Sequence, residues 1–270
     1  MNGHVFTARA DSDHSMGILL DAAKLSGAIG QCPTVMLKPN LVEALSPPIT
    51  TPVEVVADIV VYIRQLCPDV KIIVAEGVGA ADYDTWHSFE SLGYTAMAAE
   101  LDIQLMDLNT EPLRKLEKPN CRCWPTMYLP DIIFDVFLIS IPVLKAHSLA
   151  GVTLSMKNMM GTAPPSHYQK GGHWKKAAFH NNMQEAVFDL NQYRSPDFAI
   201  LDASVGMQEA HLWGPTCNPP HNIFAASGDP VAIDAYGTDL LNRKWRQIDH
   251  IAMADGVLGN ASSYEVHTIC

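Results

Sequence analysis

Between Ile139 and His180 the chain gathers five lysines (Lys145, Lys157, Lys170, Lys175, Lys176) and four histidines (His147, His167, His173, His180) in 42 residues. Ammonium groups pair with phosphate or carboxylate, and neutral imidazoles ligate transition metals or move protons. The same stretch carries the pairs Gly171-Gly172 and Pro164-Pro165, as a loop bent around a ligand would. His147 and His173 stand 26 positions apart with Lys157 between them. These three are the candidates for catalysis, and the two histidines are the candidates for holding a divalent metal. His167 and His180 read as polar surface residues. Lys170, Lys175 and Lys176 suit a solvated lid as well as a site.

More polar residues sit where expected strands open into loops. Lys38 and Asn40 follow the buried run Val35–Leu37, and Glu76 follows Val70–Val74. Lys145 and His147 follow the apolar run that Pro142 ends, Asn158 adjoins Lys157, and Asp202 closes Phe198–Leu201. In a parallel sheet these carboxyl-end loops share one edge, and ligands bind there. Lys38, Asn40, Glu76, Lys145, Asn158 and Asp202 therefore form the candidate ligand-binding set, with Lys38, Lys145 and Lys157 holding an anion. A capped turn with a solvated lysine would account for Lys38 and Asn40 equally well. Asp229 reads as the cap of a helix begun by Pro230. Asp234 either points inward or caps a neighbouring element.

The elements that must carry these groups alternate strand, helix, strand, which implies right-handed crossovers. The expected fold is a doubly wound α/β architecture: a mostly parallel sheet with helices on both faces, in one domain over residues 1–270. An irregular excursion with local β character is expected at about 109–130 and a His/Lys-rich loop at about 145–180. The run Gly77-Val78-Gly79 is too short for a dinucleotide fingerprint, and no triad, P-loop or HExxH motif is present.

Composition limits the partners. A formal charge of −11 argues against a general nucleic-acid surface, which needs a basic face. One basic cluster on an acidic chain points to a small anionic ligand. The longest apolar run, Ile132 to Val143, is interrupted by Asp135 and is too short to span a bilayer. With no apolar leader visible, the chain is expected to be soluble and cytoplasmic. The six cysteines (Cys32, Cys67, Cys121, Cys123, Cys217, Cys270) make no disulfide scaffold and read as free thiols.

The runs KPNL, IPVLKAHSLAGVTLSMKNMMG, KGGH and SGDPVAIDAYG resemble the DUF362 family, from about Val35 to about Leu241. Some members of that family are fused to ferredoxin-type modules, which suggests a redox partner protein. No iron–sulfur cluster is expected in this chain, since it has no matching cysteine cluster. More remotely, the order His147, Lys157, His173 is similar to that of the lactate racemase family. There a lysine holds a nickel-pincer nucleotide, and histidines serve the metal and proton or hydride transfer. That resemblance implies a shared fold and site position, with Lys157 in the anchoring place and a histidine on either side. The expected function is thus binding of a carboxylate- or phosphate-bearing ligand, with or without a divalent metal, and proton or hydride transfer on it. The alternative is a non-catalytic binding or maturation partner of a redox or metal enzyme.

Overall fold

Short runs rich in Val, Ile and Leu, each bounded by Pro, Gly or Asp, become the strands of one large sheet. The structure, a computed structural model, describes residues 3–11 and 14–269. Its strands are β1 (His4–Arg9), β2 (Thr34–Pro39), β3 (Lys71–Glu76), β4 (Gln104–Asp107), β5 (Leu113–Glu117), β6 (Thr126–Pro130), β7 (Phe137–Ile141), β8 (Val143–His147), β9 (Gly151–Thr153), β10 (Phe198–Met207), β11 (Ile223–Ser227) and β12 (Glu265–Thr268). Ten of them form a sheet ordered β12-β1-β11-β10-β7-β2-β3-β4, with β8 beside β10 and β9 beside β8. The pairs β3/β4, β2/β3, β2/β7, β7/β10, β8/β10 and β1/β12 are parallel. The antiparallel pairs in this sheet are β1/β11, β10/β11 and β8/β9. The expected mostly parallel α/β sheet is what the chain forms.

Alternation along each strand gives the sheet two apolar faces. Val35, Leu37, Ile72 and Val74 pack under α1 (Ser15–Ala22) and α2 (Val53–Leu66), through Leu19, Leu20, Val56 and Ile59. Met36, Ile73 and Leu138 face the other way and belong to the core that holds Val187, Leu190, Val231 and Ile233. Full burial of each such side chain contributes about 1.5–3 kcal/mol.

Three elements near the centre have particular consequences. β7 ends at Ile141, before Pro142, which has no N–H to give the ladder. The Pro142 carbonyl accepts the Asp202 amide at 2.9 Å, and β8 begins at once, bringing Lys145 and His147 forward. β10 runs on to Met207 with a register shift after Asp202, so Asp202 lies within a strand instead of at its end. The segment after β9 turns into the short helix α3 (Ser155–Asn158). It is pinned by Asp234, from α5 (Pro230–Leu240), whose carboxylate accepts the amides of Ser155 at 2.7 Å and Met156 at 2.9 Å. Asn191, on α4 (Met183–Tyr193), holds the other end by donating to the Met156 carbonyl at 2.9 Å. Asp234 thus takes the capping role, and burial pushes its carboxyl up to about 8. Asp229 caps α5 itself, accepting from Val231 and Ala232 at 3.0 Å.

The excursion at 109–130 contains a two-stranded antiparallel ribbon, β5 with β6. Cys32, Cys67, Cys121, Cys123 and Cys217 are free thiols, and Cys270 lies outside the described residues. Among the described residues no helix is long and apolar enough to cross a membrane.

Candidate functional site

The carboxyl ends of β2, β3 and β8 open onto a cavity of about 300 Å³. Asn40, Glu76, Lys145, His147, Thr153, Lys157 and Asn158 line it, together with Lys176, His180 and His211 from the later loops. Trp174, Leu149, Leu212 and Met160 add an apolar wall.

Beneath this cavity lies an internal network. The ammonium of Lys38 is fully buried and donates to Glu76 Oε1 at 2.9 Å and Oε2 at 2.8 Å, and to Asn158 Oδ1 at 3.3 Å. Glu76 also accepts the amides of Gly77 at 2.8 Å and Leu41 at 3.3 Å. Asn158 donates to the Lys38 carbonyl and to Ser140 Oγ, both at 3.0 Å. Lys38, Glu76 and Asn158 are thereby occupied with one another and form the floor. Lys38 is not part of the cavity lining, so it holds Glu76 instead of facing a ligand.

Asn158 Oδ1 also accepts from Asn40 Nδ2 at 3.1 Å, which fixes how the Asn40 amide is turned. That leaves Asn40 Oδ1 buried without a partner, and Thr153 Oγ1 is in the same condition. Both residues line the cavity. Buried polar atoms normally have partners, so two such atoms in one cavity wall mark a place where a ligand or water belongs.

Lysines dominate the wall. Lys145 is almost fully buried and donates to the Ile49 carbonyl; burial, then repulsion from Lys157, hold its pKa well below the ordinary range. Lys157 has no hydrogen-bond or ion-pair partner among the described residues. Burial, then the nearby Lys38 charge, push it down to about 8. Lys176 is buried and not part of a solvated lid: it donates to Asn109 Oδ1 and the Ala163 carbonyl, and burial brings it to about 7.

The imidazoles are tuned the same way. His147 Nδ1 accepts the amides of Leu149 and Ala150, both at 3.1 Å. A nitrogen that accepts two N–H groups carries no proton, so the neutral ring has its hydrogen on Nε2. Burial, then Lys157, lower its pKa strongly and keep it neutral. His211 stacks on it with centroids 3.9 Å apart and rings 25° apart, and burial brings His211 down to about 4. Two neutral rings stack without repulsion.

The structure brings Asn40, Glu76, Lys145, His147, Lys157 and Asn158 together, and leaves two of the expected residues elsewhere. His173 is not on the cavity wall; its side chain is 71% exposed, with Nε2 3.5 Å from Asp82. Asp202 is buried in β10 and accepts the Ser204 amide at 2.9 Å, away from the lining. A metal shared by His147 and His173 does not fit this arrangement. His173 stands outside, and His147 offers an N–H where a neutral ligand needs a lone pair. Lys157 is free to anchor a ligand, but His173, the histidine expected after it, is not in the cavity; His180 and His211 are the later histidines that line it.

His211 and His180 complete the wall; His180, read from the sequence as a polar surface residue, is exposed and also lines the cavity, whereas His211 did not stand out. His211 lies in a Pro- and Gly-rich loop after β10, and only its position past a strand's carboxyl end hints at a role. His250, also overlooked, is fully buried with Nδ1 2.7 Å from Gln184 Oε1 and Nε2 without a partner. Burial and then Lys157 lower it to about 3.

A mostly parallel sheet with a cavity lined by lysines and histidines at the carboxyl ends of its strands defines the class: a doubly wound α/β protein. Within that class the chain belongs to the family described as domain of unknown function (DUF362), whose model matches residues 35–239. It is 29% identical over 106 residues to the "Thylakoid-associated protein sll1697" of Synechocystis sp. (strain ATCC 27184 / PCC 6803 / Kazusa), a match covering 38% of this chain and 32% of that protein. Its fold is similar to that of the lactate racemase apoprotein from Thermoanaerobacterium thermosaccharolyticum, with a TM-score of 0.52 at 10% identity. That similarity covers 90% of this chain and 57% of the racemase, so the chain spans about a third of the first relative and just over half of the second.

Proposed function

We propose that the cavity binds a small carboxylate- or phosphate-bearing ligand, with Lys157 as its principal cation and Lys145 and Lys176 beside it. One observation carries this reading: Lys157 lines the cavity without a hydrogen-bond or ion-pair partner among the described residues, while the carboxylate of Glu76 there is taken by Lys38. A bound anion supplies that partner. Asn40 Oδ1 and Thr153 Oγ1 supply hydrogen-bonding positions for the rest of the ligand.

His147 adds a fixed Nε2–H donor, suited to a ligand oxygen that gains negative charge. His211, neutral and stacked beside it, has a lone pair that takes a proton. Together they suit proton transfer at a carbon next to the bound carboxylate. A carrier that binds without turnover, or one that serves a redox partner, is the alternative reading. It uses the same cations and leaves the imidazoles as spectators.

The test is calorimetric titration of the full chain with inorganic phosphate, oxalate and lactate, the last because the structural neighbour is named as a lactate racemase. Saturable binding of at least one anion is expected, lost in Lys157→Met with the thermal midpoint kept or raised. Binding that survives in Lys157→Met, or that no anion shows, ends the proposal. Incorporation of solvent deuterium into the bound acid separates catalyst from carrier.

A further inference from the structure

On the opposite margin of the sheet, the geometry points to a transition-metal site formed by His4, Glu265 and His267, which clips strand β12 to β1. The two strands run parallel, with His4 opposite Glu265 and Phe6 opposite His267. Alternate residues of a strand share a face, and so do paired residues of parallel neighbours. His4, Glu265 and His267 therefore project from one side of the sheet.

Their donor atoms form a compact triangle. His4 Nδ1 lies 2.9 Å from His267 Nε2 and 3.6 Å from Glu265 Oε2, and His267 Nε2 lies 3.9 Å from that same oxygen. Zinc bonds to nitrogen and oxygen of about 2.0–2.1 Å give a tetrahedron with edges of about 3.3–3.4 Å. The three observed edges bracket that value, so small side-chain rotations bring all three atoms onto one ion.

Without a metal, one of the two facing ring nitrogens carries the hydrogen that joins them. Metal binding needs both lone pairs, which a shift of that hydrogen to the far nitrogen of the same ring supplies with no net proton loss. The Phe6 ring stacks on His267 at 5.0 Å and 25°, which limits rotation of the ligand. Ser227 Oγ donates to the His4 carbonyl at 2.7 Å and steadies the strand beneath.

Two imidazoles and one carboxylate select zinc, nickel, cobalt or copper over magnesium and calcium. The site lies on the exposed margin of the sheet, which suits holding a strand in place. β12 is four residues long and pairs with β1 alone, so a clip adds to a short ladder. This site is separate from the anion cavity and does not depend on it.

The test uses the full chain without a polyhistidine tag, stripped with chelator and titrated with zinc chloride or cobalt chloride, with magnesium chloride as the hard-cation control. One equivalent of zinc is expected to bind and raise the thermal midpoint, cobalt to give visible ligand-field bands, and magnesium to do neither. Loss of outer groups alone weakens metal sites by about 10–100-fold, so His267→Gln and His4→Gln should weaken zinc by at least about tenfold. His211→Gln should bind zinc as the parent does. Absence of saturable zinc uptake, binding that His267→Gln leaves intact, or binding that follows His211 instead would each overturn the site.

Discussion

Lys38 and Glu76 meet inside the protein at 2.8 Å, with side chains 0% and 3% exposed. Their pairing ties β2 to β3 below the cavity and lets Glu76 hold two backbone amides. Removing one partner strands a charge in the interior, which typically costs about 3–5 kcal/mol. Glu76→Gln and Lys38→Met are therefore each expected to lower the unfolding free energy in urea by that amount. The double variant Lys38→Met/Glu76→Leu should recover most of the loss, because neither charge is then buried alone. Single variants as stable as the parent would show that the pair contributes little.

Gly161 closes over that ion pair. A Cβ built on it would stand 1.8 Å from Glu76 Oε1 and 2.5 Å from Lys38 Nζ. Lys38 and two backbone amides hold that carboxylate in place, so Gly161→Ala is expected to move the backbone or break the salt bridge. A loss of about 1–3 kcal/mol is expected, as for other overpacked interiors. Gly27 meets nothing within 4 Å, and Gly27→Ala should be neutral or gain about 0.5–1 kcal/mol. Equal urea midpoints for the two variants would mean that the close approach at Gly161 is not a constraint.

The convergence of Lys38, Asn40, Glu76, Lys145 and His147 was legible because topology alone dictates it: successive parallel strands deliver their ends to one edge. What each side chain does there was not legible. Lys38 is consumed by a carboxylate 38 positions away, whereas Lys157 has no such partner, and no local pattern distinguishes the two. Between His167 and Asn182 the chain lacks regular periodicity, so nothing in the sequence says that Lys176 turns inward while His173, three residues earlier, stays out. Pro142 was legible as the end of β7, but not that its carbonyl keeps β10 attached through the Asp202 amide, nor that β8, which carries Lys145, starts one residue later.

The two amides on His147 Nδ1 make a sharp spectroscopic prediction. Long-range proton–nitrogen spectra of labelled protein should show the Nε2–H tautomer for this ring. Burial and Lys157 lower its pKa, so the ring should stay neutral below the pH at which an ordinary histidine charges. A proton on Nδ1, or titration near neutral pH, would remove the donor assigned to the cavity. His147→Asn should keep the fold, because an amide oxygen can take over the two backbone bonds, and should weaken anion binding by about tenfold, the worth of one charge-assisted hydrogen bond.

The cavity lysines set how stability depends on pH. Lys157, held at about 8, and Lys176, at about 7, both lie below the 10.5 that they have in the unfolded chain. From about pH 8 to pH 9 the unfolded chain thus keeps more protons than the folded one, and stability rises with pH. Asp234, raised to about 8, opposes this mainly at lower pH, and the Cys121 thiol, raised to about 11, opposes it mainly at higher pH. The urea midpoint of the parent should therefore increase across that window. Lys157→Met, lacking one depressed ammonium, should start at a higher midpoint and climb less. Anion binding runs the other way: a ligand that needs the charged form of Lys157 binds more weakly as pH passes about 8, with proton uptake measurable by calorimetry in buffers of different ionisation enthalpy. A midpoint that falls through the window, with anion affinity indifferent to pH, would mean that the Lys157 ammonium is solvated like any surface lysine.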